Sequence, residues 1–511
     1  MTESFYLIWR NQYIKRLIRN LVCQDLKILV KDKSFDGQDY KYLAMFSSQE
    51  KLDYNISIRY RDKLVNYTTS KYRDVINCLE LEMDTTFNFS LVCEGVHKLS
   101  FKSDTDTRGC GQLPESLTYL FICAYGDYSE GDIMEHVLTN LPKNLKTLDM
   151  QYDYIMTKRI VLPDSLTTLN YRSTYKSLQY LVVPDKNKVL KDCILTIYQD
   201  WLEAFKWLHE NKWINQIVIS GSNGKPPLDS NTIPSHVTTI LQRDNSDLGI
   251  DNSIFPKMLE SLSCFYPTPF SHLAHLKSLN LDFPIKIEKS LFPLSLKDLT
   301  LYYDLPLDVG VFPCHLQSLT IRGFNHDLYP GSFPQSLTHL NLGRFNRPLL
   351  PSVLPNKLKE FSIGFFKQPM IVKDALPLSL TTLHMNSFDG SFEASCQSLD
   401  NLKNLFTDSL NPSFSTILAN VKKINIWVKK IDCPNGTFLS NTSIERLSLT
   451  CGGRMLQLES LPPTIEHLSL DNTYINSSDV IPNSCIYLKS YQDIPHQFIP
   501  KSVKYVIIKD I

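Results

Sequence analysis

His272 and His275 stand three residues apart, a spacing that could offer two imidazoles to a zinc ion. No nearby Glu or second ligand pair completes such a site, so both read as surface histidines. Gly221-Ser222-Asn223-Gly224-Lys225 has the glycines and lysine of a phosphate loop but not the G-x-x-x-x-G-K-[ST] spacing. Pro226-Pro227 follows it directly, and the segment reads as a turn. Asp104, Asp106 and Gly109 echo a calcium loop, yet the glycine is misplaced and no bidentate Glu closes it. Cys264, Cys314 and Cys485 fall at or beside apolar positions, where a thiol behaves as a small hydrophobe in a core. Lys422, Lys423, Lys429 and Lys430 flank one apolar stretch and read as a solvated edge. The sequence thus predicts no catalytic residue, no cofactor and no metal site.

Charge balance narrows the partners. Lys+Arg and Asp+Glu number 53 each, which leaves no overall field to attract nucleic acid or an anionic membrane. No apolar run approaches the roughly 18 to 20 residues that cross a bilayer. Twelve cysteines occur without a C-x-x-C pair, and Met1 to Arg10 lacks the features of a secretory leader. The expectation is a cytoplasmic chain with reduced thiols, in which the sequons at Asn55, Asn66, Asn88, Asn435, Asn441 and Asn476 stay unused.

The elements that would carry any site come from a repeat. Leu-Pro-x-x-Leu-x-x-Leu-x-apolar recurs at Leu113 to Ile122, Leu141 to Met150, Phe292 to Leu301, Phe312 to Ile321, Phe333 to Leu342, Leu354 to Ile363 and Leu376 to Met385. Pro293, Pro313, Pro334, Pro355 and Pro377 are 20, 21, 21 and 22 residues apart. Copies without the proline keep the apolar anchors, for example Leu276/Leu279/Leu281 and Val421/Ile424/Ile426, and carry the array from about residue 73 to the C-terminus. The last two anchors are two residues apart, so on a strand both face inward while their neighbours face out. Proline before the strand suits a corner, because it fixes φ and donates no N–H. A return path of about a dozen residues is too short for a long helix, and successive strands must stack in parallel.

Phe324-Asn325, Phe345-Asn346, Phe366 and Phe388 each put Phe eleven residues after the proline of their unit. Such a Phe would fill the back of each coil, and the Asn would satisfy turn backbone. Pro334 to Leu349 (PQSLTHLNLGRFNRPL) resembles the FNIP repeat of the social-amoeba FNIP-repeat proteins, and Phe5 to Ile18 is similar to the N-terminal segment many of them share. The resemblance implies a β-rich α/β solenoid. This would be a right-handed, leucine-rich-repeat-like coil with one short parallel strand per repeat of ~20–22 residues.

The organisation read from the sequence has four parts. Residues 1–50 form an N-terminal helical cap, in which Ile14, Leu17, Ile18 and Leu21 cover the first coil. Degenerate and then regular repeats fill 51–183. A helical interruption spans 184–212, on the helical spacing of Leu190, Ile194, Ile197, Trp201, Phe205 and Leu208. Repeats resume over 213–511 and are best preserved at 291–390.

Function is then expected on the strand face. Asn280, Thr300, Thr320, Asn341, Ser362 and His384 form one outward row, extended by Ser448 and Ser469. A second row runs through Asp298, His339, Glu360, Thr382 and Arg446. These residues are small and polar with few aromatics, and no Tyr, Trp or Arg cluster marks a hot spot. The chain reads as a non-catalytic scaffold for an unknown protein partner, without nucleic acid or membrane. The alternative is a ubiquitin-ligase substrate receptor whose F-box-like N-terminal helix recruits a ligase adaptor.

Overall fold

Leu279, Leu299, Leu319, Leu340, Phe361 and Leu383 are the second anchors of successive units, and they lie side by side on neighbouring parallel strands. None exposes more than 2% of its surface. In a computed structural model, residues 11–508 are described except 31–36, 105, 125–132, 152–153, 199, 221–227, 230, 244–253, 266–269, 283–285, 433–438, 440, 453–455, 459–460 and 476. The chain forms two compact units, Met1–Ile250 and Asp251–Ile511.

In the second unit, short parallel strands follow one another from Ser261–Cys264 and Ser278–Leu281 to Tyr487–Ser490 and Tyr505–Ile508. Along each strand buried anchors alternate with accessible residues at period two, as half-buried strands must. Where a unit has its proline, the corner is a turn closed on it, and elsewhere on an apolar residue such as Leu273 or Leu399. The Leu316, Leu337 and Leu358 N–H groups donate to the carbonyls of Pro313, Pro334 and Pro355, all at 3.1 Å. In alternate coils a serine just before the first anchor ties the coil to the previous one, whereas His315 and Lys357 stand at that place in the coils between. Ser295, Ser336 and Ser379 donate to the carbonyls of Leu276, Leu316 and Leu358 at 2.8, 2.6 and 2.6 Å.

Aromatic rings fill the rest of each coil. Phe324, Phe345, Phe366 and Phe388 are fully buried and stack with centroids 6.2, 6.3 and 5.7 Å apart. Phe292, Phe312 and Phe333, just before their prolines, form a parallel stack at 6.5 and 6.4 Å. Beside the first stack, Asn325 Oδ1 accepts from the Asn346 N–H at 2.9 Å, and Asn346 Oδ1 from the Lys367 N–H at 2.8 Å. Turn donors without a strand partner are satisfied this way.

The first unit is built alike, from Lys27–Val30 and Ser57–Asp62 to Gln216–Ile219 and Thr239–Gln242. Two sequence expectations change here. The array starts earlier than residue 73, since Lys27–Val30, inside the segment read as a cap, pairs in parallel with Ser57–Asp62. The helical interruption is largely a coil of the array. Lys191–Ile197 is a strand between Thr168–Ser173 and Gln216–Ile219, and among the described residues of the segment only Trp201–Glu210 is helical. Cys193, Leu195 and Ile197 alternate inward, while Ile194 faces out. The spacing of Leu190, Ile194 and Ile197 imitated a helix because both faces of this strand carry apolar residues. The helix buries Trp201, Ala204, Phe205 and Leu208 as the return arm of its own coil.

The N-terminal helix, Gln12–Val22, is oriented opposite to expectation. Its polar side is docked. Glu50 Oε1 accepts from Arg16 Nε at 2.6 Å, Arg19 Nη2 at 2.7 Å and Asn20 Nδ2 at 2.6 Å, and Asn20 is 3% exposed. Arg19 also covers the Phe46 ring at 4.7 Å. Burial alone would raise the Glu50 pKa, but the hydrogen bonds from Arg16, Asn20 and Ser47 outweigh it and hold the carboxyl well below its ordinary range. Tyr13, Leu17, Ile18, Leu21 and Val22 are exposed instead of covering the first coil. Among the described residues no helix is long and apolar enough to cross a membrane.

Candidate functional site

In the second unit, ladder register fixes which side chains share the accessible face. Asn280, Thr300, Thr320, Asn341, Ser362 and His384 are successive partners in one row, and Asp298, Ser318, His339, Glu360 and Thr382 in the next. All are exposed or half-buried while the anchors between them are covered. His339 Nε2 lies 3.9 Å from Glu360 Oε2, which joins two members of the second row. Over this stretch the rows read from the sequence are the rows in space.

Beyond His384 they are not. Its strand partner is Phe406, then Trp427, then Thr450, while Thr382 leads to Asn404, Asn425 and Ser448. Ser448 and Ser469 therefore continue the Thr382 row, and Arg446 stands one position further out, beside Lys423 and His467. Ile424, Ile426 and Val428 are all buried, so two registers two residues apart satisfy the apolar pattern equally; local spacing cannot choose between them.

The shifted register assembles an aromatic patch that the sequence reading missed. The His384 and Phe406 rings stack with centroids 4.1 Å apart and planes 5° apart. Trp427 is the next residue in that row and is half-buried, with Lys429 Nζ 6.0 Å from its ring. The indole lies over Gly452, where an added Cβ would sit 1.7 Å from Cζ2. Burial holds the His384 pKa below its ordinary value, with Glu360 opposing. Aromatic side chains immobilised on strands lose little entropy on contact and are favoured anchors for a partner.

The other candidate groups have structural roles. Cys264 and Cys485 are buried, and burial pushes the Cys485 thiol up to about 11. Cys314 is exposed, contrary to the core role expected of it, because it follows the corner proline on the turn's outer side. The Asp104 carboxylate accepts from the Asp106 N–H at 3.2 Å and the Thr107 hydroxyl at 2.8 Å, closing a turn in place of holding an ion. His272 and His275 are exposed, and no group of three or more His, Cys, Asp or Glu with metal-binding geometry occurs among the described residues. Gly221 to Lys225 lies outside the described residues. Lys422, Lys429 and Lys430 pair with Glu445, Asp408 and Asp389 at 2.7, 3.0 and 3.3 Å.

Comparison with known proteins gives a local sequence match and a set of structural similarities. The FNIP Repeat model matches residues 324–366, within the region of stacked Phe and bonded Asn. No curated protein matches the chain. Among solved structures, CroV588, described as a novel circular LRR protein, is similar at 20% identity and a TM-score of 0.46, over 88% of this chain and 68% of that one. YopM from Yersinia enterocolitica WA-314 is similar at 15% identity and a TM-score of 0.31, over 84% and 91%. The mouse RP105/MD-1 complex is similar at 13% identity and a TM-score of 0.39, over 81% and 85%. The chain therefore carries an FNIP-type repeat within a leucine-rich-repeat-like parallel coil.

Proposed function

We propose that this chain is a non-catalytic scaffold that binds a protein partner across the outward strand face of its second unit. It would be a cytoplasmic relative of the social-amoeba FNIP-repeat proteins. The observation that carries the reading is the His384, Phe406 and Trp427 row, which sets three rings on adjacent strands beside the polar rows of Asn341, Ser362, His339 and Glu360. Buried leucines fix those rings, so a partner would meet a preformed anchor with a polar rim. Photo-crosslinking tests it. A benzophenone residue at Thr450, beside Trp427, should give partner adducts that Trp427→Ala removes, and one at Arg347 on the turns should give none. Equal adducts from both positions would remove the support for this face.

A second reading, the ubiquitin-ligase substrate receptor, is favoured by the exposed apolar side of Gln12–Val22, with Leu21 55% and Val22 80% accessible. Amphipathic helices that offer such a side commonly seat in a partner groove. Co-purification of a ligase adaptor with the full chain, lost in Leu21→Asp/Val22→Asp, would support it; unchanged recovery in that variant would end it.

A further inference from the structure

Lys423 and Arg446 are direct strand partners, one position out from the Asn425 and Ser448 row. Both are exposed, and neither makes an ion pair with any described residue, whereas Lys422, Lys429 and Lys430 each do. Neighbouring strands lie about 4.8 Å apart, so two cations held side by side repel each other when no anion sits between them. Next in the same row come His467 and Tyr487, whose rings pack with centroids 5.7 Å apart. The short side chains of Asn425, Ser448 and Ser469 leave a recess of about 170 Å3 against this row.

We infer that this recess takes an acidic side chain, Asp or Glu, of the partner peptide that lies along the strand face. The inference rests on the protein-binding reading and supplies the partner's chemistry. Arg446 can grip both oxygens of a carboxylate through its planar fork, Lys423 adds a point charge, and Ser448 and Ser469 can donate to the same group. His467 and Tyr487 form an aromatic wall for the aliphatic stem. The volume suits one side chain and is well below the roughly 300 Å3 at which small-molecule pockets begin. A polyphosphate strand is disfavoured, because it needs a run of cations and the row beyond Lys423 and Arg446 continues with His467, Tyr487 and Tyr505.

The test uses the full chain and an array of random peptides with Glu, Gln or phosphoserine fixed at the centre, plus single-stranded RNA. Glu-centred peptides should be retained at least about tenfold better than Gln-centred ones, the factor expected for one charge-assisted contact. Lys423→Ala/Arg446→Ala should erase that preference, and circular dichroism should show the same strand content. Equal retention of Glu and Gln peptides, a preference unchanged in the double variant, or retention of phosphoserine peptides or RNA alone would overturn the inference. Neutral peptides that bind and are released by Trp427→Ala would overturn the acidic-partner inference and leave the strand-face reading standing. Loss of all peptide binding by the native chain would overturn both.

Discussion

The Ser336 hydroxyl donates to the Leu316 carbonyl, one coil back, at 2.6 Å. The same bond joins Ser116 to Val96, Ser165 to Leu145, Thr464 to Ile444 and Ser484 to Ile465. Coils of a solenoid are held by nearest-neighbour interactions, so the hydroxyl acts as a register pin at the corners that carry it. Ser336→Ala is expected to destabilise the second unit by about 1 kcal/mol, since the half-buried carbonyl loses a donor. Denaturant unfolding of the wild type and variant measures this.

Phe345 lies between Phe324 and Phe366 and is fully buried. Phe345→Ala leaves a void the flanking coils cannot close, and roughly 3–5 kcal/mol of stability should be lost. Hydrogen exchange should quicken first in the coils on either side, Ser318–Arg322 and Glu360–Ile363. Uniform quickening across both units would contradict nearest-neighbour coupling.

Gly452 supports Trp427. An added Cβ meets the indole, the movable group of the pair, so Gly452→Ala should swing Trp427 outward without unfolding the coil. Iodide quenching of tryptophan fluorescence should rise, and partner crosslinking at Thr450 should fall. Unchanged quenching would show that the indole does not rest on this glycine.

The first unit should weaken in acid in two steps. Burial, with Lys51 and Lys98 nearby, holds the His97 pKa below its ordinary 6.5. The unfolded chain then binds a proton that the folded one refuses, so stability is full above about pH 6.5 and falls as pH drops below it. Glu50 is also depressed. Its contribution is complete above the ordinary carboxylate range near 4.5 and is lost at lower pH still. His97→Gln should make the fall of the unfolding midpoint between about pH 7 and 5 shallower, leaving the share of His236, which burial also holds below its ordinary value, and the later loss. Glu50→Gln should remove the later loss and cost on the order of 1–2 kcal/mol at pH 7, moderated because Arg16 is half-exposed to solvent.

The coil itself was legible in the residues. Leu299, Leu319 and Leu340 recur with a proline six residues earlier, and leucines spaced this way cannot be buried within one unit. Their spacing therefore dictates stacking neighbours, parallel strands, and a polar row through Thr300, Thr320 and Asn341. The buried Phe and bonded Asn follow from the same constraint. Tertiary structure decided what the periodic pattern leaves degenerate. Ile424, Ile426 and Val428 allow two registers, and only pairing with Asn404–Leu410 sets Trp427 beside Phe406. Lys191–Ile197 fits helix or strand by spacing, and the neighbouring strands chose. The N-terminal helix has an apolar and a polar side, and a carboxylate 34 residues after Arg16 determined which one docks. A side chain's own period fixes the face it can occupy, whereas the group waiting opposite is supplied by a distant part of the chain.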